Sequence, residues 1–339
     1  MRQVTITSGE AGQRFDKYLR KYLKEAPDSF LYKMLRKKNI TLNSGKASGG
    51  ERLQAGDVVC LYLSEETLAG FGAGASMPAD KDRHLTEESW AAYRKFGKLQ
   101  VVYEDEHILA VHKPAGILSQ KAALHDLSLN EWLTGYLLAT KKITEESLRT
   151  FHPSVCNRLD RNTSGIVICG KSLCGSQEMS RVFRDRSLHK YYLLYVEGHM
   201  CQGQTIEGYL CKDRRSNRVE ILPVARPGCA KIVTSYRPVH AGQEETLVEV
   251  ELITGKTHQI RAHLASEGFP LTGDPKYGNP LLNEKRKREY GITHQLLHAY
   301  RVVFPRFTGA LEALSGREIR APLPAVFRRL GGSLPAEYG

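Results

Sequence analysis

Asp160 lies between Arg158 and Arg161 in the stretch NRLDRNTSG, residues 157–165, where Asn162, Thr163, Ser164 and Gly165 lead into the apolar run Ile166, Val167, Ile168. An Asp flanked by arginines on a surface is ordinarily a solvated ion pair, worth at most about 1 kcal/mol. Here the residues that follow are turn formers opening onto a buried strand, a placement that mounts a reactive carboxylate on a rigid scaffold. A second cluster, TGKTHQIRAHLASEGFPLTGDPKYG at 254–278, runs from a strand into a short helix ended by Gly268 and then a Gly-Asp-Pro turn. Its histidines, His258 and His263, stand about 140° apart around a helix and do not share a metal-binding face. Arg261, one turn from Thr257 and beside Ile260, is placed to point inward; a surface arginine is the plainer alternative. A third cluster, RDRSLHKYYLLYVEG at 184–198, alternates as a strand, with Tyr192, Leu194 and Val196 on one face and Tyr191, Leu193 and Tyr195 on the other. A tyrosine so placed is core filler or a ring presented to a ligand. The basic run before it, Arg184, Arg186, His189 and Lys190, is either a phosphate site or a solvated face.

Other chemistries lack their signatures. The chain has no GxxxxGK[ST] phosphate loop, no GxSxG elbow, no HExxH and no GxGxxG following a strand. Reactions needing neither cofactor nor metal gain weight from this, and none is expected here. The seven cysteines are scattered without a CxxC pair, which predicts buried or half-buried reduced thiols. A formal net charge of +12 points to a polyanionic partner, nucleic acid first among them. No window approaches the roughly 18 apolar residues of a membrane span and no signal peptide opens the chain, so a cytoplasmic protein away from membranes is expected.

At 339 residues two units are expected. In the first, residues 1–63, Phe15, Tyr18, Leu19 and Tyr22 repeat at helical spacing, as do Phe30, Leu31, Met34 and Leu35 beyond Pro27; short strands and Gly/Ser turns follow. It carries 12 Lys and Arg against 6 Asp and Glu, half of the excess charge of the chain, and is suited to phosphate contact. Residues 64–97 read as a linker, Gly/Ala/Ser-rich over 64–80. The second unit, 98–330, opens with strand-like LQVVYEDEHILAVHKPAG, has helical spacing at 128–142 and about 172–186, and is otherwise mainly strands. The pattern predicts an α+β fold with a large mixed sheet.

The order RLDRxTSG, KxYxxxVxG, TGKTHQIRxHLxxxGxPxxGDxxYG resembles the three motifs of the RNA pseudouridine synthases of the ribosomal-large-subunit class. The likeness runs from about residue 99 to 328 and includes YEDEHILAVHKPAG at 103–116 and LHAY at 297–300. Residues 12–63 resemble the small RNA-binding domain named for ribosomal protein S four. The resemblance implies isomerisation of uridine within RNA, without a cofactor, by a monomer whose large mixed sheet is mainly antiparallel, with flanking helices around an RNA-binding cleft and a small N-terminal α/β RNA-binding domain. It implies Asp160 as nucleophile toward ribose or base, and Arg261 as the cation paired with it, since a neighbouring cation favours an ionised carboxylate. Tyr192 corresponds to the ring that stacks on uracil and is a candidate for the final proton abstraction. Arg158 corresponds to the side chain that fills the gap left by a flipped uridine. Ile260 packs beneath the base, and Thr163, Lys256 and His258 complete the substrate-binding set. Asn157 stands where the family has histidine, Asn162 where aspartate is common, and Lys256 where arginine is frequent. Large-subunit ribosomal RNA is the expected partner, with transfer RNA the alternative substrate. A catalytically silent RNA-binding assembly factor is the alternative of another class, with Asn157 as its support. A two-carboxylate glycosidase is disfavoured because Asp160 alone sits in a motif.

Overall fold

The chain alternates helical and strand periods, and the computed structural model, which describes residues 1–73, 80–213, 218–242, 244–331, 334, 335 and 338, follows them closely. After strand β1 (Arg2–Thr5), the apolar stripe Phe15, Tyr18, Leu19, Tyr22 becomes the buried face of helix α1 (Phe15–Tyr22). Pro27 then caps α2 (Asp28–Arg36), which buries Leu31, Met34 and Leu35. Strands β2 (Ile40–Leu42), β3 (Gly45–Lys46) and β4 (Val58–Leu61) close a four-stranded sheet ordered β1-β4-β2-β3. This sheet and its two helices enclose a core of their own around Phe15, Tyr18, Leu35 and Val59. They also dock on the rest of the chain: Lys21 Nζ donates to the Thr150 carbonyl at 2.9 Å and the Tyr22 hydroxyl to Glu146 at 2.8 Å.

The stretch expected as a linker is largely helical among its described residues. Ser64 caps α3 (Glu65–Gly70) by accepting the Thr67 N–H, and α4 (Asp80–Phe96) follows; residues 74–79 lie outside the described residues. Helix α4 packs on α5 (Leu129–Ala139) at Gly135, where a Cβ would collide with the Ser89 carbonyl. Gly and Ala content masked this pairing, because the partner surface is contributed some 40 residues downstream.

The second sheet is α+β in character, eleven-stranded and largely antiparallel. Its strands are β5 (Gln100–Glu104), β6 (Ile108–Lys113), β7 (Ser154–Val155), β8 (Ser164–Gly170), β9 (His189–Glu197), β10 (Gln204–Asp213) and β11 (Arg218–Leu222). β12 (Ala230–Ala241), β13 (Glu245–Leu252), β14 (Leu297–Val303) and β15 (Glu318–Arg320) complete it. Helices α6 (Leu173–Arg184), α7 (Gln259–Ser266), α8 (Pro280–Tyr290) and α9 (Ala325–Gly331) flank it. The main path is β11-β10-β12-β13-β9-β14-β8-β6-β5, with β8 and β14 paired in parallel. Both faces of β9 are buried, and alternate residues go to different cores, as the strand pattern predicts. Tyr192, Leu194 and Val196 of β9 join the core that also holds Trp132 and Ile260, whereas Leu193 and Tyr195 pack on the other side with Phe327 of α9.

Two expectations about the cysteines are corrected. Cys211 and Cys229 form a disulfide, because the β10–β12 register sets Leu210 opposite Ala230 and so brings the next pair of Cα atoms to 4.4 Å. Cys201 is an exposed thiol rather than a buried one. Strand register, which spacing along the chain does not encode, decides the disulfide. No helix among the described residues is long and apolar enough to cross a membrane.

Candidate active site

The loop that carries Asp160 is held from several directions before it enters β8. Asn157 accepts the Ile168 N–H at 2.8 Å and donates to the Ile166 carbonyl at 3.3 Å, so its amide splints the loop to the strand it precedes. Ser119 Oγ both donates to the Leu159 carbonyl and accepts the Leu159 N–H, each at 3.0 Å. The fully buried Lys113 donates to the carbonyls of Pro114 at 3.1 Å, Ile117 at 2.8 Å and Arg161 at 3.1 Å. Burial pulls its ammonium down to about 7, with the Asp160 charge opposing. Thr163 N–H returns to the Asp160 carbonyl at 3.0 Å, which closes the turn. Asn157 is thus a backbone anchor, and its departure from histidine gives the silent-binder alternative no support.

Helix α7 brings the cation. Gln259 fixes the preceding loop by accepting from Thr254 Oγ1 at 2.9 Å and Lys256 N–H at 3.1 Å while donating to the Val233 carbonyl at 3.1 Å. Two residues on, Arg261 is 4% exposed and points inward. Its NH1 donates to Asp160 Oδ2 at 3.0 Å, while Nε and NH2 take both oxygens of the buried Asp274 at 2.7 and 2.8 Å. Burial by itself would raise the Asp274 carboxyl, but the guanidinium more than offsets it and holds the group below the usual carboxylate range. The ring of Tyr277 lies 5.3 Å from the same guanidinium. Tyr277 also hydrogen-bonds His258 Nδ1 at 3.0 Å, and His258 Nε2 stands 3.9 Å from Asp160. Burial pulls the His258 imidazole below its ordinary value, Asp160 opposing and Arg261 and Lys276 reinforcing, so it is neutral at pH 7.

These groups open onto a cleft of about 1020 Å³ lined by Asp160, Tyr192, Ile260, Arg261, Thr163 and His258 among others. Arg158 and Lys256 stand exposed at its walls. Every site residue expected from sequence therefore borders one cavity. Among the described residues Asp160 is the single carboxylate lining it, against Arg158, Arg161, Arg184, Arg186, Lys190 and Lys256. Burial, then the Asp160 charge, pushes the Tyr192 phenol well above its ordinary range, so the ring enters any reaction protonated. Asp274, Tyr277, Lys113 and Ser119 were missed as functional support. For Asp274 the signal was present in the Gly-Asp-Pro turn, and for Lys113 in the stretch HKPAG, but neither spacing says what the side chain reaches.

A mixed sheet that presents one ion-paired carboxylate and one aromatic ring in a cleft walled by cations is the framework of an enzyme acting on nucleic acid. Residues 107–266 match the family described as RNA pseudouridylate synthase. The chain is 30% identical over 328 residues to the ribosomal large subunit pseudouridine synthase C of Vibrio cholerae, covering 95% of this chain and 93% of that protein. It is 28% identical over 343 residues to the ribosomal large subunit pseudouridine synthase D of Xanthomonas campestris, covering 98% and 92%. The solved structure of human RNA pseudouridylate synthase domain containing 4 shares the fold, with a TM-score of 0.52 at 19% identity over 76% of this chain and 94% of that one. The chain belongs to the RNA pseudouridine synthases and is an isomerase of RNA.

Proposed function

We propose that this chain converts uridine to pseudouridine in large-subunit ribosomal RNA, with Asp160 as nucleophile. The observation that carries this reading is Asp160 itself: the one carboxylate lining the cleft among the described residues, paired at 3.0 Å with a buried arginine. The substrate follows from the relatives, two of which are named for the large ribosomal subunit.

The reaction breaks the bond from ribose C1′ to uracil N1, turns the base and joins C5 to C1′. The C5 proton leaves and N1 gains one, so no atom or electron is supplied from outside. In this assignment Asp160 attacks ribose or base, and Arg261 holds its attacking oxygen in direction and charge. Tyr192 stacks on the uracil first and foremost. As a neutral phenol it can take the C5 proton only in step with the loss of its own O–H proton, so that the hydroxyl relays one proton and ends as it began. Ile260 packs under the base, Thr163, Lys256 and His258 line its approach, and Arg158, exposed at the mouth, fills the stack that the flipped uridine leaves. Residues 98–330 make up the catalytic unit, and 1–63 a second RNA contact of the type named for ribosomal protein S four. Within the latter, Lys33, Arg36, Lys37 and Lys38 form an exposed basic end of α2.

The test is incubation of the protein and Asp160→Asn with unmodified ribosomal and transfer RNA, followed by chemical derivatisation and primer-extension stops. Wild-type stops in large-subunit RNA are expected, with Asp160→Asn slower by at least about a thousandfold, as when a nucleophile is removed, and RNA binding retained. Stops confined to transfer RNA would reassign the substrate. Stops that persist in Asp160→Asn would overturn the nucleophile.

A further inference from the structure

Lys190 begins the buried half of β9. The strand passes from exposed His189 through half-buried Lys190 to buried Tyr192, and Lys190 and Tyr192 share the cleft face, about 7 Å apart along the strand. Despite its burial, the Lys190 ammonium has no carboxylate or hydrogen-bond partner among the described residues; the Phe183 ring lies 6.0 Å away. Burial pulls the group below the usual lysine range, Arg186 adds to this and Glu251 opposes it. Glu251 is itself engaged by His189 at 2.6 Å. Arg186, held at φ 62 in the turn between α6 and β9, also borders the cleft and has no ion pair among the described residues. Arg181 of α6, by contrast, meets both Glu178 and Asp185.

A half-buried ammonium without a counterion is costly unless an anion arrives. We infer that Lys190 and Arg186 form a phosphate subsite for the RNA backbone beside the target uridine, fixing the register in which the base reaches Tyr192. The inference rests on the cleft being the RNA site. The ligand class is a phosphodiester, read without regard to base.

Binding of unmodified large-subunit ribosomal RNA is measured against salt for the wild type, Lys190→Gln, Arg186→Gly and Arg181→Gln. Glycine suits the positive φ at 186, so that variant keeps the turn. Losing one phosphate contact flattens the log–log slope by about 0.7, or about fivefold in affinity at 0.1 M salt. Lys190→Gln and Arg186→Gly are expected to show this, with KM for RNA raised and the unfolding midpoint retained, and Arg181→Gln unchanged. Slopes equal to wild type in both variants would overturn the subsite, as would flattening of the same size in Arg181→Gln. Absence of pseudouridine with the wild-type protein would instead overturn the proposed reaction, and leaves the slope readout intact.

Discussion

Arg261 divides one guanidinium between two carboxylates. Asp274, wholly buried, takes the Nε–NH2 edge, and Asp160 takes NH1. Lysine has a single nitrogen and no fork, so it satisfies one carboxylate and abandons the other. Arg261→Lys is therefore expected to lower kcat about a hundredfold, the cost of misaligning a reacting group, with KM for RNA little changed. Single-turnover pseudouridine formation checks this; a loss confined to KM would make Arg261 an RNA contact and no aligner of Asp160. The residue types were legible from sequence, since Asp160, Arg261 and Tyr192 all carried motif positions. Asp274 was not, because a bidentate pair is a property of two separated segments brought to 2.7 Å.

At the scale of elements, the loop that carries Asp160 depends on the parallel contact between β8 and β14. Gly165 pairs with Ala299, has φ 120, and a Cβ there would collide with the Ala299 backbone. Alanine must push the strands apart five residues after Asp160. Gly165→Ala is expected to cost about 3 kcal/mol or more, at the upper end of overpacking penalties, and to slow catalysis with it. Urea unfolding midpoints measure the first; a midpoint equal to wild type would show that the strand pair yields without strain. The helical periods of α1, α2 and α6 were readable because each buries one face, and β9 was readable because its alternate residues are apolar toward two different cores. The helix α4 was hidden, since its packing depends on the gap left by Gly135 in a distant helix.

Across the whole molecule, pH acts through histidines buried in the sheet and its helices. Burial pulls His263 to about 4 and, with His112 adding, His298 to about 3. Each hydrogen-bonds a hydroxyl, Thr234 Oγ1 at 2.9 Å and Ser164 Oγ at 2.8 Å. Both folded values lie below the unfolded value of about 6.5, so the unfolded chain binds protons first as pH falls. Stability is full above about pH 6.5 and declines from there toward pH 4 and 3, by at most about 1.4 kcal/mol per pH unit for each imidazole. Denaturant titrations at pH 7.5 and 5 are expected to show the fall, and His298→Gln to lessen it. Equal midpoints at the two pH values would mean that the imidazoles charge without unfolding.

The sequence by itself determined the α+β class, the basic character, the succession of most elements and the three motif residues of the cleft. These follow from local quantities: residue type, period and turn chemistry act over a few neighbours. Only the tertiary structure decided that Asn157 anchors backbone, that Asp274 holds Arg261, that Lys190 lacks a counterion among the described residues and that Cys211 meets Cys229. Each of these depends on register or crossing between segments far apart in the chain. Many folds satisfy the same local pattern, and the close packing of one of them selects which side chains meet.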